Sequence, residues 1–152
     1  MLLLRHASAG ERARSASLDR ARRLDWVGRS DARLLPEVLS SYAIERIVAS
    51  PHARCVESVR ALALDRGLEV ELSEDLGPDA PLAATRALVA ELPDAALVCT
   101  HREVIERLFD GLTCAKGGAW LLAARDGAWA PTAYLPPPAS AIPAADRAAV
   151  SG

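Results

Sequence analysis

The sequence lacks most of the residues that mark extracellular, metal-binding or nucleic-acid-binding proteins. Its three cysteines are an odd number and form no Cys-x-x-Cys pair, which argues against a disulfide framework or a zinc site and predicts a reducing, cytoplasmic location. Lys116 is the only lysine and the formal net charge is -2, so bulk electrostatics favour neither nucleic acid nor an anionic membrane. No apolar run is long enough for a signal peptide or a membrane-spanning helix.

Length and composition are those of one ordinary globular domain. The chain has 152 residues, of which 51% are hydrophobic, enough to bury a core without disulfides or metal ions. Residues 136–152 are rich in proline and alanine. We therefore predict a domain over residues 1–135 and a poorly ordered tail over residues 136–152.

Apolar spacing predicts strands that alternate with helices. Strands are expected at residues 1–5, 43–50, 68–72 and 95–100, and a final hairpin, 118–124 and 127–135, turns at Asp126-Gly127. Four helices are expected. The first covers residues 28–42, where Pro36 indicates a kink or a late start, and the second runs from a Ser50-Pro51 cap to Gly67. The other two cover residues 82–92 and 102–112. The arginine-rich segment 7–25 reads as a long functional loop. This order predicts a three-layer α/β/α fold with a mostly parallel central sheet and an antiparallel edge.

Cationic and imidazole side chains stand at the ends of three predicted strands. The first strand ends in Arg5-His6, the second leads through Ser50 into a helix that carries Arg54, and the fourth ends at His101. Carboxyl ends of parallel strands meet at one edge of the sheet, where ligands bind in such folds. Arginine forks and helix N-termini both bind phosphate oxygens. The sequence therefore predicts a phosphoryl-binding site at this edge.

The same three segments resemble the motifs of a known family. "LLLRHASAG" resembles the Arg-His-Gly signature of the histidine phosphatase superfamily, also called the phosphoglycerate-mutase-like fold, "VASPHARCVESV" its Ser-x-x-x-Arg helix start, and "ALVCTHREVIERL" its second-histidine strand. The resemblance covers about residues 1–135 and is greatest to the small branch that contains the SixA phosphohistidine phosphatases. The chain is also similar to the phosphatase-like domain that follows a Nudix domain in some actinobacterial MutT-type proteins.

The resemblance implies a role for each of the four residues. His6 would be the nucleophile that forms a phosphohistidine, which requires a neutral imidazole whose other nitrogen bonds to an acceptor. Arg5 and Arg54 would bind the phosphoryl oxygens. His101 would donate a hydrogen bond as an imidazolium, since a dianionic ligand offsets the two flanking arginines. Fixed cations of this kind need no metal ion or other cofactor for phosphoryl transfer.

Two departures from the family pattern concern the acid and the residue after the nucleophile. The candidates for the general acid are Glu74, Asp75 and Asp79. Asp79 is favoured because "DLGPDAP" resembles the turn of the small branch, and Glu74 is the runner-up. Ala7 replaces a glycine, which is costly if that position needs a positive φ and harmless if it only needs to be small.

Other residues carry weaker expectations. Arg12, Ser50 and Glu74 are predicted to help bind phosphate or substrate. His52 would face the site only if its helix begins as predicted. Trp120 and Trp129 are interpreted as core residues rather than as platforms for stacking a nucleobase.

The function expected from these residues is metal-independent hydrolysis of a phosphomonoester or phosphoramidate, with a phosphohistidine protein as one candidate substrate. Alternatives are a phosphatase of nucleotides or small phosphorylated metabolites, and a non-catalytic phosphate-binding module. A mutase ranks last because the short chain leaves little room to hold a second phosphate. Neither nucleic acid nor a membrane is an expected partner, and the oligomeric state stays open.

Overall fold

Six strands form one mixed sheet in the computed structural model, which describes residues 1–141. Across the sheet their order is β3-β2-β4-β1-β5-β6. Four strands are parallel: β1 (Leu2–Arg5), β2 (Arg46–Ala49), β3 (Val70–Leu72) and β4 (Ala96–Thr100). The hairpin of β5 (Ala119–Arg125) and β6 (Ala128–Leu135) adds the antiparallel edge, with β5 paired to β1. The predicted fold class is confirmed.

Two layers of helices cover the sheet. The helices are α1 (Ala16–Arg20), α2 (Trp26–Val38), α3 (Ala53–Arg66), α4 (Leu82–Glu91) and α5 (Arg102–Leu108). Because side chains alternate along a strand, Leu2 and Leu4 pack into the core beneath α2 and α3, whereas Leu3 packs beneath α4 and α5. The unbroken leucine run of β1 thus reflects burial on both faces, and it places the residues that follow at the centre of the sheet edge.

The first half of the chain departs from the predicted helix boundaries. Helix α2 begins at Trp26 rather than residue 28, since the Asp25 carboxylate caps it by accepting from the Gly28 backbone N–H at 2.8 Å. It ends at Val38, two residues after Pro36. Helix α1 lies within the predicted loop 7–25 and has no buried residue, so no apolar periodicity could reveal it.

The start of α3 and the end of α5 also differ from expectation. Helix α3 begins at Ala53 with His52 in the N-cap position, so the prediction that Ser50 caps this helix is wrong. The predicted end of the helix at Gly67 is confirmed. Helix α5 ends at Leu108 instead of residue 112, because Asp110 (φ 46°) and Gly111 (φ 84°) take left-handed conformations.

The first residues of the predicted tail pack against the domain. A 3₁₀ turn, Pro138–Ala141, lies on α2, and the Ala139 backbone N–H donates to Asp31 Oδ1 at 2.9 Å. Residues 142–152 of that tail lie outside the described residues, and the domain boundary at residue 135 stays a prediction. No helix in the described range is long and apolar enough to cross a membrane.

Gly28 permits a close backbone contact that positions the segment after His6. A Cβ built on Gly28 would lie 2.0 Å from the Ser8 carbonyl oxygen, and neither backbone can yield easily. We expect Gly28→Ala to lower the free energy of unfolding by about 3 kcal/mol, measured by urea denaturation. Gly77→Ala is the matched control, since its φ is -73° and its nearest contact is 3.2 Å. Equal losses in the two variants would contradict this role of Gly28.

Candidate active site

His6 follows β1 and is held in one tautomer by the backbone. The backbone N–H of His6 donates to the Thr100 carbonyl at 3.0 Å, and this hydrogen bond joins the ends of β1 and β4. The ring is 7% exposed, and Nδ1 lies 2.8 Å from the Ala7 carbonyl oxygen. A carbonyl can only accept, so Nδ1 carries the proton and the lone pair is on Nε2.

The surroundings keep the His6 imidazole neutral at pH 7. The pKa of His6 is lowered to about 4. Burial is the largest cause, and Arg54 and Arg5 lower the pKa further, whereas the hydrogen bond to the Ala7 carbonyl raises it. A neutral ring with a free Nε2 is the form required of a nucleophile.

His101 is buried at the end of β4, beside His6. The two ring centroids are 5.4 Å apart in an edge-to-face arrangement. His101 Nδ1 lies 3.4 Å from Arg54 Nη2, and Nε2 lies 2.8 Å from Ser50 Oγ. Because a guanidinium can only donate, Nδ1 accepts and the Nε2–H donates to Ser50. The Ser50 hydroxyl therefore orients His101 instead of capping α3.

Without a bound anion, the His101 imidazole is neutral. Burial, followed by His6 and Arg54, lowers the pKa of His101 to about 2. The imidazolium was expected only when a dianionic ligand offsets the two arginines, and for that complex it stays a prediction.

Arg54 comes from the first turn of α3 and is 3% exposed. Its Nη1 donates to the Asp19 carbonyl at 2.6 Å, and its Nη2 lies 3.1 Å from Asp19 Oδ2. Arg22 binds the other carboxylate oxygen of Asp19 at 3.0 Å. The Nε of Arg54 is buried and has no hydrogen-bond partner within residues 1–141. An anion beside His101 would supply the missing acceptor.

Arg5 immediately precedes His6 and is the second arginine near it. Its Nη1 donates to the Cys114 carbonyl at 2.8 Å, and its Nε is a second buried guanidinium atom without a partner in the described part of the chain. Unpaired buried donors are uncommon in folded proteins. Arg5 and Arg54 therefore both lie near His6 with an unsatisfied donor, as expected for groups that bind the oxygens of an anion.

Arg5 also lines a cavity of about 580 Å³, whose walls include Arg102, Trp120 and Tyr134. The two aromatic rings are 5.1 Å apart, and the Trp120 Nε1–H donates to the Thr113 carbonyl. Trp120 also packs on the core beneath α5.

The predicted acids lie in a second cavity, of about 310 Å³, on the side of β3. Asp79 and Glu74 line it together with His52 and Arg20. Glu74 is engaged by Arg20, with N···O distances of 2.5 and 3.2 Å. Neither carboxylate forms a hydrogen bond with His6 or His101 in the described residues, so the structure brings the acids to one cavity with His52 and not into contact with the other two histidines.

Two remaining expectations concern Arg12 and Ala7. Arg12 forms an exposed ion pair with Glu103 at 3.0 Å and does not reach the histidines. Ala7 is buried, donates its N–H to Ser58 Oγ at 2.9 Å, and is not among the described residues with positive φ. The position needs only a small side chain, so the alanine costs nothing in backbone strain.

The sequence did not reveal Asp19 or Arg22, and it gave only a conditional indication for His52. Asp19 and Arg22 stand in a segment rich in charged residues, where no signal separates them from their neighbours. The ring of His52 lies edge-to-face against His101, with centroids 4.7 Å apart. Within the range that the structure describes, no group of three or more His, Cys, Asp or Glu side chains could hold a metal ion.

Comparison with known proteins places this chain in a family. The model of the histidine phosphatase superfamily (branch 1) matches residues 1–77. An 8-oxo-(d)GTP phosphatase of Mycolicibacterium smegmatis is 31% identical over 156 residues, which are 91% of this chain and 48% of that protein. The chain thus spans about half the length of this curated relative.

Solved structures share the fold. The protein histidine phosphatase SixA complexed with tungstate superposes with a TM-score of 0.74 at 20% identity, over 90% of this chain and 96% of that one. A mycobacterial glucosyl-3-phosphoglycerate phosphatase with inorganic phosphate gives a TM-score of 0.70 at 18% identity, over 91% and 97% of the two chains. These likenesses confirm the predicted phosphoglycerate-mutase-like fold.

Proposed function

The chain belongs to the histidine phosphatase superfamily, as predicted, and from this we propose that it hydrolyses a phosphomonoester or phosphoramidate through a covalent phosphohistidine at His6. The family supports the predicted class of enzyme, a phosphatase. One observation carries the choice of nucleophile: the Ala7 carbonyl fixes the proton on Nδ1, which leaves Nε2 free in a ring that lies near Arg5 and the buried Arg54.

In the proposed reaction, Nε2 of His6 attacks phosphorus in line with the departing group. The N–P bond forms as the bond from phosphorus to the leaving atom breaks. Arg5 and Arg54 contact the remaining phosphoryl oxygens and stabilise the charge that develops there. His101 donates to one of these oxygens from Nδ1 when the dianionic phosphoryl group holds its ring as an imidazolium. Water then cleaves the N–P bond and releases inorganic phosphate.

The supporting residues take narrower roles. Asp79 protonates the leaving group, with Glu74 as the alternative, because both line the cavity beside His52. Ser50 orients His101 through its hydroxyl. Arg12, paired with Glu103 at the surface, is proposed to contact the substrate outside the phosphoryl site.

A phosphohistidine protein is the first proposed substrate. Imidazole leaves from phosphorus more readily than an alkoxide does, so such a substrate depends less on an acid, and no carboxylate bonds to the described histidines. A reducing cytoplasm, supported by three buried free cysteines, is the proposed location.

A nucleotide is the second candidate, and the cavity beside Arg5 favours it. Trp120 and Tyr134 offer aromatic rings, and Arg5 and Arg102 add positive charge, a combination suited to a nucleobase joined to a phosphate. The name of the M. smegmatis relative also refers to a nucleotide.

A substrate panel tests the proposed function and separates the two candidates. We would measure kcat/KM for a phosphohistidine peptide, guanosine monophosphate and ribose 5-phosphate. If the nucleotide is the substrate, Trp120→Ala should lower kcat/KM for the nucleotide about tenfold, the loss of one stacking contact of about 1.4 kcal/mol, and leave ribose 5-phosphate unaffected. Trp129→Ala is the matched control, since Trp129 lines a different cavity.

Each result of the panel has a defined meaning. A preference for the peptide, unaffected by Trp120→Ala, supports the phosphohistidine substrate. Binding of the compounds without turnover of any of them would support the non-catalytic module and contradict the proposed function.

A further inference from the structure

We propose that Asp19 is a positioning residue that acts through Arg54: it holds the end of the Arg54 guanidinium and leaves the side of that group, beside His101, to bind the phosphoryl oxygens. The role rests on the proposed function, because it needs the phosphoryl contact assigned to Arg54. Asp19 itself touches neither the substrate nor the nucleophile in this proposal.

The guanidinium of Arg54 has two pairs of donors, and Asp19 occupies one of them. Nη1 and Nη2 form the end of the group, where Nη1 donates to the Asp19 backbone carbonyl at 2.6 Å and Nη2 donates to Asp19 Oδ2 at 3.1 Å. The Nε–H and the second N–H of Nη2 form the side of the group. Because these donors have a fixed planar geometry, a guanidinium can bind one partner at its end and a bidentate anion along its side.

The side of the Arg54 guanidinium has the donors that a phosphoryl group needs. Its Nε is buried and has no hydrogen-bond partner within residues 1–141. Nη2, which belongs to both pairs, lies 3.4 Å from His101 Nδ1. The contact with Asp19 therefore leaves the pair that includes Nε, and this pair lies next to the second histidine of the site.

The Asp19 carboxylate is itself held in one orientation. Its Oδ1 accepts from the Ala13 backbone N–H at 3.0 Å and from Arg22 Nε at 3.0 Å. Arg22 Nη1 also donates to the backbone carbonyls of residues 9–10, at 2.8 and 3.1 Å. A carboxylate with both oxygens bound has little rotational freedom, so it can fix the plane of the Arg54 guanidinium.

The charges of the two groups match this role. Burial, followed by Arg22, lowers the pKa of Arg54, and Asp19 raises it. Burial acts to raise the pKa of Asp19, but the hydrogen bond from Ala13 and the two arginines leave that pKa below its ordinary value. Asp19 is therefore a carboxylate at pH 7, and it offsets the buried Arg54 cation when no substrate is present.

Core packing does not account for helix α1, which carries Asp19. None of its residues is buried, and its large apolar side chain, Leu18, is 63% exposed. A helix of five residues is not stable by itself in water. Polar contacts connect α1 to the rest of the domain, from Asp19 to Arg54 and from Arg20 to Glu74. Holding Arg54 gives this otherwise exposed helix a function.

A double-mutant cycle tests the proposal, because a residue that acts only through Arg54 has no effect once Arg54 is removed. With 4-nitrophenyl phosphate, Asp19→Ala should lower kcat/KM about 10²-fold, as expected for a misplaced contact. Most of the loss should be in kcat, since the oxygens that Arg54 contacts gain charge in the transition state. In the Arg54→Met background, Asp19→Ala should change kcat/KM by no more than about twofold.

Two further variants serve as controls. Glu71→Gln is the matched control, because Glu71 likewise binds an arginine, Arg46, through two hydrogen bonds of 2.8 and 3.0 Å, at an exposed position of β3. It should match wild type in both backgrounds. Asp19→Asn keeps an acceptor for the Ala13 N–H if Asp19→Ala does not fold, and its effect should also disappear with Arg54. Circular dichroism and the melting temperature report folding in every variant.

The outcomes that would overturn the proposal are distinct. An equal loss from the Asp19 variants with and without Arg54 would show that Asp19 acts independently of Arg54. Unchanged or higher kcat/KM in both Asp19 variants would also overturn it, and a rise is expected if the carboxylate competes with substrate for Arg54. These results leave the phosphohistidine at His6 intact. A wild-type enzyme that turns over without ever carrying ³²P label contradicts the proposed function itself.

Discussion

His6→Ala should lower the rate of 4-nitrophenyl phosphate hydrolysis by at least about 10³-fold, the loss expected when a covalent nucleophile is removed. The Ala7 carbonyl holds the proton on Nδ1, and burial keeps the ring neutral. Asparagine or alanine at this position offers no equivalent lone pair. The measurement is steady-state hydrolysis at pH 7 with the purified chain.

His6→Asn is the matched control for folding, because its amide can still donate to the Ala7 carbonyl. Both variants should be inactive, and His6→Asn should keep a circular dichroism spectrum like that of wild type. Activity within tenfold of wild type in either folded variant would remove His6 from the reaction.

Arg54→Met should lower kcat/KM by about 10³-fold, the upper end of the range for removing one preorganised donor to a developing charge. The guanidinium is 3% exposed and points at His101 with an unpaired Nε. Arg54→Lys retains the charge but not the planar fork, so it should recover only part of the loss.

Removing Arg54 also takes away one of the two arginines that bind Asp19, while Arg22 stays paired with its other carboxylate oxygen. Stability is therefore expected to fall by about 2 kcal/mol, the loss of hydrogen bonds to a charged group, and kinetics should be measured well below the melting temperature. Arg60→Met supplies the control, since it makes the same change at an exposed position of the same helix. An equal loss of activity in Arg54→Met and Arg60→Met would contradict a phosphoryl contact at Arg54.

The sequence was sufficient to predict which strand ends bring the candidate residues together. His6 and His101 end adjacent parallel strands, β1 and β4, and the segment after β2 leads into the helix that bears Arg54. Once alternating strands and helices imply a parallel sheet, geometry alone brings these ends to one edge. The hairpin was equally accessible, because Asp126 and Gly127 both adopt the positive φ that its turn requires.

Contacts made across long loops were not predictable. Asp19 binds Arg54, which lies 35 residues later in the chain. Because the segment around Asp19 is rich in charged residues, nothing in the sequence distinguishes Asp19 from its neighbours. Ser50 looked like a helix cap because serine followed by proline is a common helix start. In the folded chain, the Ser50 hydroxyl instead forms a hydrogen bond with His101. The neutrality of His101 depends on burial, which local sequence does not encode.

The most direct test of the central claim is the chemical identity of the phosphoenzyme. Wild-type protein would be mixed with labelled substrate, quenched in base within milliseconds, digested and sequenced by tandem mass spectrometry. A single acid-labile phosphoryl group on Nε2 of His6 is the predicted result. Phosphate on any other residue, or full turnover with none bound to the chain, would contradict the account.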